Sequence, residues 1–399
     1  GSASAPGSGV SAAASGNVIY VYNTWVGTSA GATVTTPDGE NATFGTDGFS
    51  NFSSALTAMS GNAALDTLTV YDNGTGYAEN ADLGLAAASS LTLNTSGFTL
   101  TGSQTLTFGD ATTVLSNTSG GSIGIDVENG TITIDNVAVS SADASSTLTL
   151  TGSVINTTGS AGFLTVAGPT TLVANGSGDF DLNADFSSLT ISRVNGLTDP
   201  ANVAINDASG VVVGNVIATD LTILALGDIT SAAGTGIQVR GTLDATAIGQ
   251  TIDLTSQGGG SLNFTGQATS ITLNSSNDAV SLGTTTAANL TVAAGALDQT
   301  GIVTVSNLAD LEAFGGGKAE YASITLLNGS NNFNLVQART IGGALLADVD
   351  GVTFGNTSVG LTFRVESGGN ITQLPGSAVV GGFATLNSTG SAGSNVVLL

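Results

Sequence analysis

The chain has 399 residues, of which 41% are apolar and 5% aromatic, with 57 glycines, no cysteine and no histidine. Five basic residues stand against 29 acidic ones, giving a net charge of −24, and a surface of that sign repels nucleic-acid phosphates and anionic lipid head groups. Without histidine and cysteine there can be no serine or cysteine triad, no imidazole or thiolate zinc site and no disulfide bond.

The first 16 residues, GSASAPGSGVSAAASG, are almost all small. This composition predicts a flexible leader outside the fold, either an engineered scar or the remnant of a removed signal peptide. Residues 17–61 begin with a strand that ends at Trp25, the only tryptophan. In residues 44–61 apolar side chains recur at helical spacing, and Asp47 stands where it could cap the first turn. We predict a short helix here that covers the apolar end of the first coil.

From residue 62 to 399 the sequence predicts strand after strand. Leu, Ile, Val and Phe alternate with Thr, Ser and Asn at period two, and Gly and Asn mark the turns between strands. Similar segments begin at Leu148, Leu221, Leu290 and Leu361, so the unit is about 70 residues long. We predict three coils of about 23 residues per unit and about fourteen coils in all. The fold class is therefore all-β, a right-handed parallel β-helix (β-solenoid) with a short N-terminal capping helix; a β-sandwich array is the alternative.

Two stretches carry a family resemblance. IYVYNTWVGT, FGTDGFSNFSSALTAMSG and LTVYDNGTGYAENADLGLAAASSLTLN together resemble the opening of bacterial pectate-lyase-like β-helix surface proteins. The downstream LT-starting segments resemble the strand repeats of large bacterial exoproteins, including filamentous-haemagglutinin-like adhesins and surface-layer proteins. The resemblance implies a β-helix and an extracellular or cell-surface setting in bacteria, and it brings no active-site residues with it.

Few residues of the sequence are candidates for catalysis or metal binding. A polysaccharide lyase needs a basic residue to take the sugar proton, but no Lys or Arg precedes Arg193 and the five present are scattered singly. In GDFDLNAD, the closely spaced Asp179, Asp181 and Asp185 offer oxygen ligands of the kind that calcium prefers. We predict no enzymatic activity, with these three carboxylates as the candidate calcium ligands and no other cofactor.

The leading expectation for function is an extracellular structural protein of a bacterial surface layer or filament. It would act by self-association, end to end or laterally, by adhesion, or by both. The apolar C-terminal segment SNVVLL (394–399) is expected to be an uncapped coil, either cut from a longer protein or stacked on a neighbour. The alternative is a β-helix that binds or degrades polysaccharide. Thr-x-Thr runs such as STLTLTG (146–152) raise ice binding as a third hypothesis.

Overall fold

The fold is seen in a computed structural model. It describes residues 18–37, 39–51, 54–55, 57–58, 67–71, 89–94, 105–109, 114–117, 121–126, 131–135, 138–141, 144, 147–158, 163–194, 197, 199–257, 261–314, 322–390 and 394–398.

Strands make up nearly all of the described secondary structure. Those of the first half are β1 Val18–Tyr22, β2 Thr33–Thr35, β3 Asn41–Thr43, β4 Gly48–Phe49, β5 Thr67–Tyr71, β6 Ser89–Asn94, β7 Thr105–Gly109, β8 Val114–Asn117, β9 Gly121–Asp126, β10 Thr131–Asp135, β11 Ala138–Ser141, β12 Thr147–Gly152, β13 Val154–Thr158, β14 Phe163–Ala174, β15 Phe180–Arg193 and β16 Asn202–Asp207. Those of the second half are β17 Val211–Ala218, β18 Asp220–Ala225, β19 Ile229–Ser231, β20 Ile237–Val239, β21 Thr242–Thr255, β22 Leu262–Gln299, β23 Val303–Ala313, β24 Ser323–Leu326, β25 Asn332–Thr340, β26 Gly343–Asp348, β27 Val352–Phe354, β28 Thr357–Ser367, β29 Ile371–Gln373, β30 Val379–Ser388 and β31 Val396–Val397.

The strands stack in parallel, coil upon coil, which confirms the predicted solenoid. Of the described strands, 29 belong to one sheet, while β2 and β3 form a separate antiparallel pair. One column of facing residues shows the stacking: Phe180 pairs with Val203, Val203 with Leu221, Leu221 with Leu243, and Leu243 with Phe264. Like side chains therefore lie above one another along the axis, so stability comes from contacts between neighbouring coils.

The core follows from the period-two alternation of the sequence. Along β14 every second side chain is buried, and β15 has the same alternation up to Phe186 and again from Leu189 to Ile191. The largest fully buried side chains among the described residues are Phe180, Phe186, Phe264, Phe333, Phe354, Phe363 and Ile19. No helix in the described part of the chain is long and apolar enough to cross a membrane.

The coils differ in length more than predicted. Facing residues are 18 positions apart at Val203 and Leu221, 32 at Leu91 and Ile123, and 49 at Val18 and Thr67. The uniform coil of about 23 residues was wrong because the corners between strands vary in length, and the register also shifts within strand pairs, for example between Val166 and Pro169.

The N-terminal helix begins later than predicted. Gly48 and Phe49 form β4 and pair with β1, so residues 44–49 are not helical. The carboxylate of Asp47 accepts the backbone N–H of Thr43 and closes a turn, so Asp47 is not the helix cap. The helical residues 54, 55, 57 and 58 follow Asn51, whose side-chain oxygen accepts the N–H of Ser54 at 2.9 Å.

The helical segment nevertheless packs on the main core. Ala55 is fully buried in the same cluster as Ile19 and Val21 of the first strand, and Ala58 packs against that cluster. Trp25 lies in a separate small cluster with Val34 and Ala42.

Candidate functional surfaces

Two of the three predicted calcium ligands, Asp181 and Asp185, lie on the outward side of β15, and Asp179 directly precedes this strand. Asp181 and Asp185 alternate with buried residues and stand four positions apart, a distance of about 13 Å along a strand. Asp179 accepts the backbone and side-chain N–H groups of Asn202 at 3.1 and 2.9 Å, and Asp185 accepts the hydroxyl of Ser209 at 2.6 Å. Two of the three carboxylates therefore accept hydrogen bonds from the next coil. No group of three or more acidic, His or Cys side chains that could hold a metal occurs among the described residues.

Two arginines form ion pairs with a single buried aspartate. The Asp199 side chain is almost fully buried, and its two oxygens are bound separately by Arg193 and by the Nε of Arg240, the latter at 2.6 Å. Because an unpaired carboxylate at this depth would be costly, the two guanidinium groups are what allow it to be buried. The contact joins the segment after β15 to the corner after β20.

The other two arginines also hold acidic partners. Arg339 of β25 binds Glu312 and lies 3.4 Å from Asp310, both on the facing strand β23, while Arg364 binds Glu366 on its own strand. All four arginines are therefore engaged in ion pairs. Lys318 lies outside the described residues.

A buried aspartate at the end of β16 joins two coils. The side chain of Asp207 accepts the N–H of Phe186 from the preceding coil at 2.8 Å and the N–H of Ser209 from its own turn at 3.0 Å. Burial raises the pKa of Asp207 despite these donors, and the nearby carboxylate of Asp185 raises it further.

The same arrangement recurs at the end of β26. Asp348 is 5% exposed and accepts the N–H of Phe333 at 2.7 Å and the N–H of Asp350 at 3.1 Å. Burial raises the pKa of Asp348 to about 6, and the charge and side-chain hydrogen bond of Asp350 add to the effect. Both turns have the sequence Asp-x-(Ser/Asp)-Gly, at 207–210 and 348–351.

A shallow cleft lies beside a buried amide pair. Asn331 is fully buried, and its amide exchanges two hydrogen bonds with the amide of Gln299, at 2.8 and 2.9 Å. The cleft has a volume of about 260 Å³ and opens next to this pair. Its lining is Asp298, Gln299, Thr300, Gly301, Thr325, Leu327 and Asn328.

An exposed apolar ridge follows one corner of the last described coils. It consists of Phe314, Ile341, Leu361 and Phe383, which are 46%, 46%, 51% and 81% exposed. Phe314 and Ile341 directly follow Ala313 and Thr340, which face each other in the register of β23 and β25. Exposed apolar side chains that lie next to one another form a patch of the kind that marks interaction sites.

Three outward threonines of successive coils form a short column. Thr149, Thr171 and Thr190 face one another on three successive coils. The column ends at Gly124 on one side, and on the other Gly214 packs close to the Thr190 hydroxyl. The Thr-x-Thr pattern therefore produces a column of three hydroxyls here.

The ridge, the ion pairs and the two buried aspartates, Asp207 and Asp348, were not predicted from the sequence. The two buried aspartates share a sequence pattern, because Asp-x-(Ser/Asp)-Gly occurs at two strand ends. A weaker signal existed for the ridge, since Ala313 and Phe314 break the alternation with two consecutive apolar residues. Nothing local indicates which acidic residue an arginine one coil away will meet.

A known family model matches part of the chain. A family described as repeats of unknown function (DUF5649) matches residues 266–338 and 342–399, about a third of the chain. The predicted repeat copies that begin at Leu290 and Leu361 fall within these two matches, so a repeat in this part of the chain is confirmed. No curated protein and no solved structure matches the chain.

Proposed function

We propose that this protein is an extracellular structural protein of a bacterial surface layer or filament, acting by self-association and adhesion. The carrying observation is that the described polar side chains bind mainly other coils of the same solenoid. Asn206 donates to Asn183 at 3.1 Å and Asn307 donates to Asn289 at 2.7 Å, each between successive coils. Arg339 and the buried aspartates Asp207 and Asp348 also bind residues of a neighbouring coil, which is the pattern of a scaffold.

The charge and composition support this proposal. A net charge of −24 gives an acidic exterior, and the small number of aromatic residues leaves little apolar surface for binding a small ligand. The extracellular and bacterial setting rests on the sequence resemblance to large exoproteins and surface-layer proteins. Self-association rests on the apolar ridge, since an exposed apolar surface of this kind marks interaction sites.

Electron microscopy and sedimentation test the proposal together. Coils stacked at strand spacing form a rod that lengthens by about 4.8 Å per coil. We expect negative-stain images to show such rods, and sedimentation velocity to show species larger than 38.7 kDa that grow with protein concentration. A chain that stays monomeric up to millimolar concentration and binds no bacterial cell surface would contradict the proposal.

A carbohydrate-binding role is the second candidate, and the cleft favours it. Asp298, Thr300 and Thr325 line it with oxygen atoms, and Leu327 adds an apolar contact. Such a mixture suits the hydroxyls and C–H faces of a sugar. Binding of an oligosaccharide in calorimetry, lost in Asp298→Ala and Thr325→Val, would favour this function. Release of unsaturated uronate products would favour a degrading enzyme, and shaping of ice crystals by the monomer would favour ice binding.

A further inference from the structure

We propose that the apolar ridge of Phe314, Ile341, Leu361 and Phe383 is the contact through which two antiparallel copies of this chain associate side by side. The inference rests on the proposed self-association and names the surface that carries it.

The register of the strands makes the ridge continuous. Ala313 faces Thr340, and Thr340 faces Val359, so Phe314 and Ile341 lie on adjacent coils. Leu361 donates its backbone N–H to Gly342 at 2.9 Å, which places it on the coil after Ile341. Phe383 faces Thr362 and occupies the next coil. Because Thr340 faces Val359, Gly360 lies opposite Ile341, so Leu361 is displaced from Ile341 by one position, and Phe383 is displaced from Leu361 in the same way. The four side chains therefore follow one another at about 4.8 Å per coil along a line that is oblique to the axis.

A second copy of the chain fits this ridge because it has the same spacing. When two copies are related by a two-fold axis perpendicular to the rod, the order of the ridge residues is reversed in the partner. Phe314 of one copy then meets Phe383 of the other, and Ile341 meets Leu361. Such an isologous contact is closed and uses one patch twice.

The charges beside the ridge also favour a second copy. Residues 1–265 carry 21 acidic and two basic residues, whereas residues 266–399 carry eight acidic and three basic residues. Arg339, two positions before Ile341, is bound to Glu312, two positions before Phe314. Repulsion between two copies is therefore smallest at this end of the solenoid, where ion pairs flank the apolar side chains.

The size of the ridge predicts a weak association. The exposed fractions of its four side chains correspond to about 400 Å² of apolar surface per copy. A standard interface buries about 800 Å² per partner. The dimer should thus form at high concentration or where many copies are held on one surface, which increases the effective concentration.

Sedimentation of paired variants tests the surface. Ile341→Ser combined with Leu361→Ser removes the centre of the ridge. Leu226→Ser combined with Ile248→Ser is the matched control, because these side chains are 72% and 66% exposed and lie outside the ridge. We expect dimerisation to weaken at least tenfold in the ridge variant and to stay unchanged in the control, with circular dichroism confirming that both fold.

The outcomes separate this inference from the proposed function. If the wild type dimerises and the ridge variant dimerises equally well, the ridge is the wrong surface while self-association stands. If the wild type stays monomeric at every concentration, both fail.

Cross-linking tests the orientation, since the chain has no cysteine of its own. In the antiparallel contact, a mixture of Ile341→Cys and Leu361→Cys copies should form disulfide-linked dimers faster than either variant alone. Faster linkage within each single variant would overturn the antiparallel arrangement.

Discussion

Replacing Asp348 by asparagine should remove a large part of the pH dependence of stability. The carboxyl of Asp348 is buried, and its pKa is raised to about 6, against about 3.9 in an unfolded chain. A raised folded-state pKa means that the native protein binds the proton more tightly. The contribution to stability is therefore complete below pH 4 and is lost as the pH rises through 6.

The magnitude follows from the two pKa values. Between pH 4 and pH 7.5 the wild type should lose about 2.5 kcal/mol of unfolding free energy through this one group. The side-chain amide of the Asp348→Asn variant cannot be ionised, so the variant should lack this loss. The variant also loses the acceptor for the N–H of Asp350, a constant cost of about 1 kcal/mol. The difference between the two proteins should thus change with pH by about 2.5 kcal/mol in favour of the variant.

Urea unfolding followed by far-UV circular dichroism at several pH values measures this difference. Equal urea slopes in both proteins ensure that the same cooperative unit unfolds. The control is Asp350→Asn, which removes the neighbouring charge and lowers the pKa of Asp348, so its pH dependence should lie between the other two. Parallel pH curves for the wild type and Asp348→Asn would refute the reasoning.

Three further changes have expected outcomes. Asp199→Ala removes the shared ion-pair partner of Arg193 and Arg240 and should lower the unfolding free energy by about 2–3 kcal/mol. Glu366→Gln, in an exposed ion pair, should lower it by less than about 1 kcal/mol. Urea denaturation measures both. Gly369→Ala places a methyl group on the backbone oxygen of the coil below and should lower the melting temperature by several degrees, while Gly329→Ala, which meets nothing, should leave it unchanged. Asn331→Ala breaks the buried amide pair and should cost about 2–3 kcal/mol; an unchanged urea midpoint would show that water replaces the amide.

The strand pattern could be predicted because it is a local property. Inward positions such as Leu182 and Ala184 alternate with outward ones in the sequence, and β pairing requires only that alternation. The repeat near Leu290 and Leu361 could be found for the same reason. The length of each coil could not be predicted, because the corners between strands vary in length and carry no period.

The surfaces depend on contacts between coils, which explains why they were missed. Asp179, Asp181 and Asp185 are neighbours in sequence, but a strand spreads them apart and the next coil binds two of them. Phe314 and Ile341 are 27 residues apart, yet the register places them side by side. Spacing along the chain is informative on a helix, whereas in a solenoid the informative distance is one coil, whose length varies.

The coil-by-coil register also has a mechanical consequence. When a solenoid is pulled from one end, its outermost coil can peel away while those beneath remain paired, because each coil contacts only its neighbours. A coil of 18 residues, such as the one between Val203 and Leu221, adds about 60 Å of extended chain while shortening the rod by about 5 Å. Under load the chain would therefore lengthen in discrete steps. Breaking the ion pairs between Asp199 and its two arginines would make one of these steps require more force.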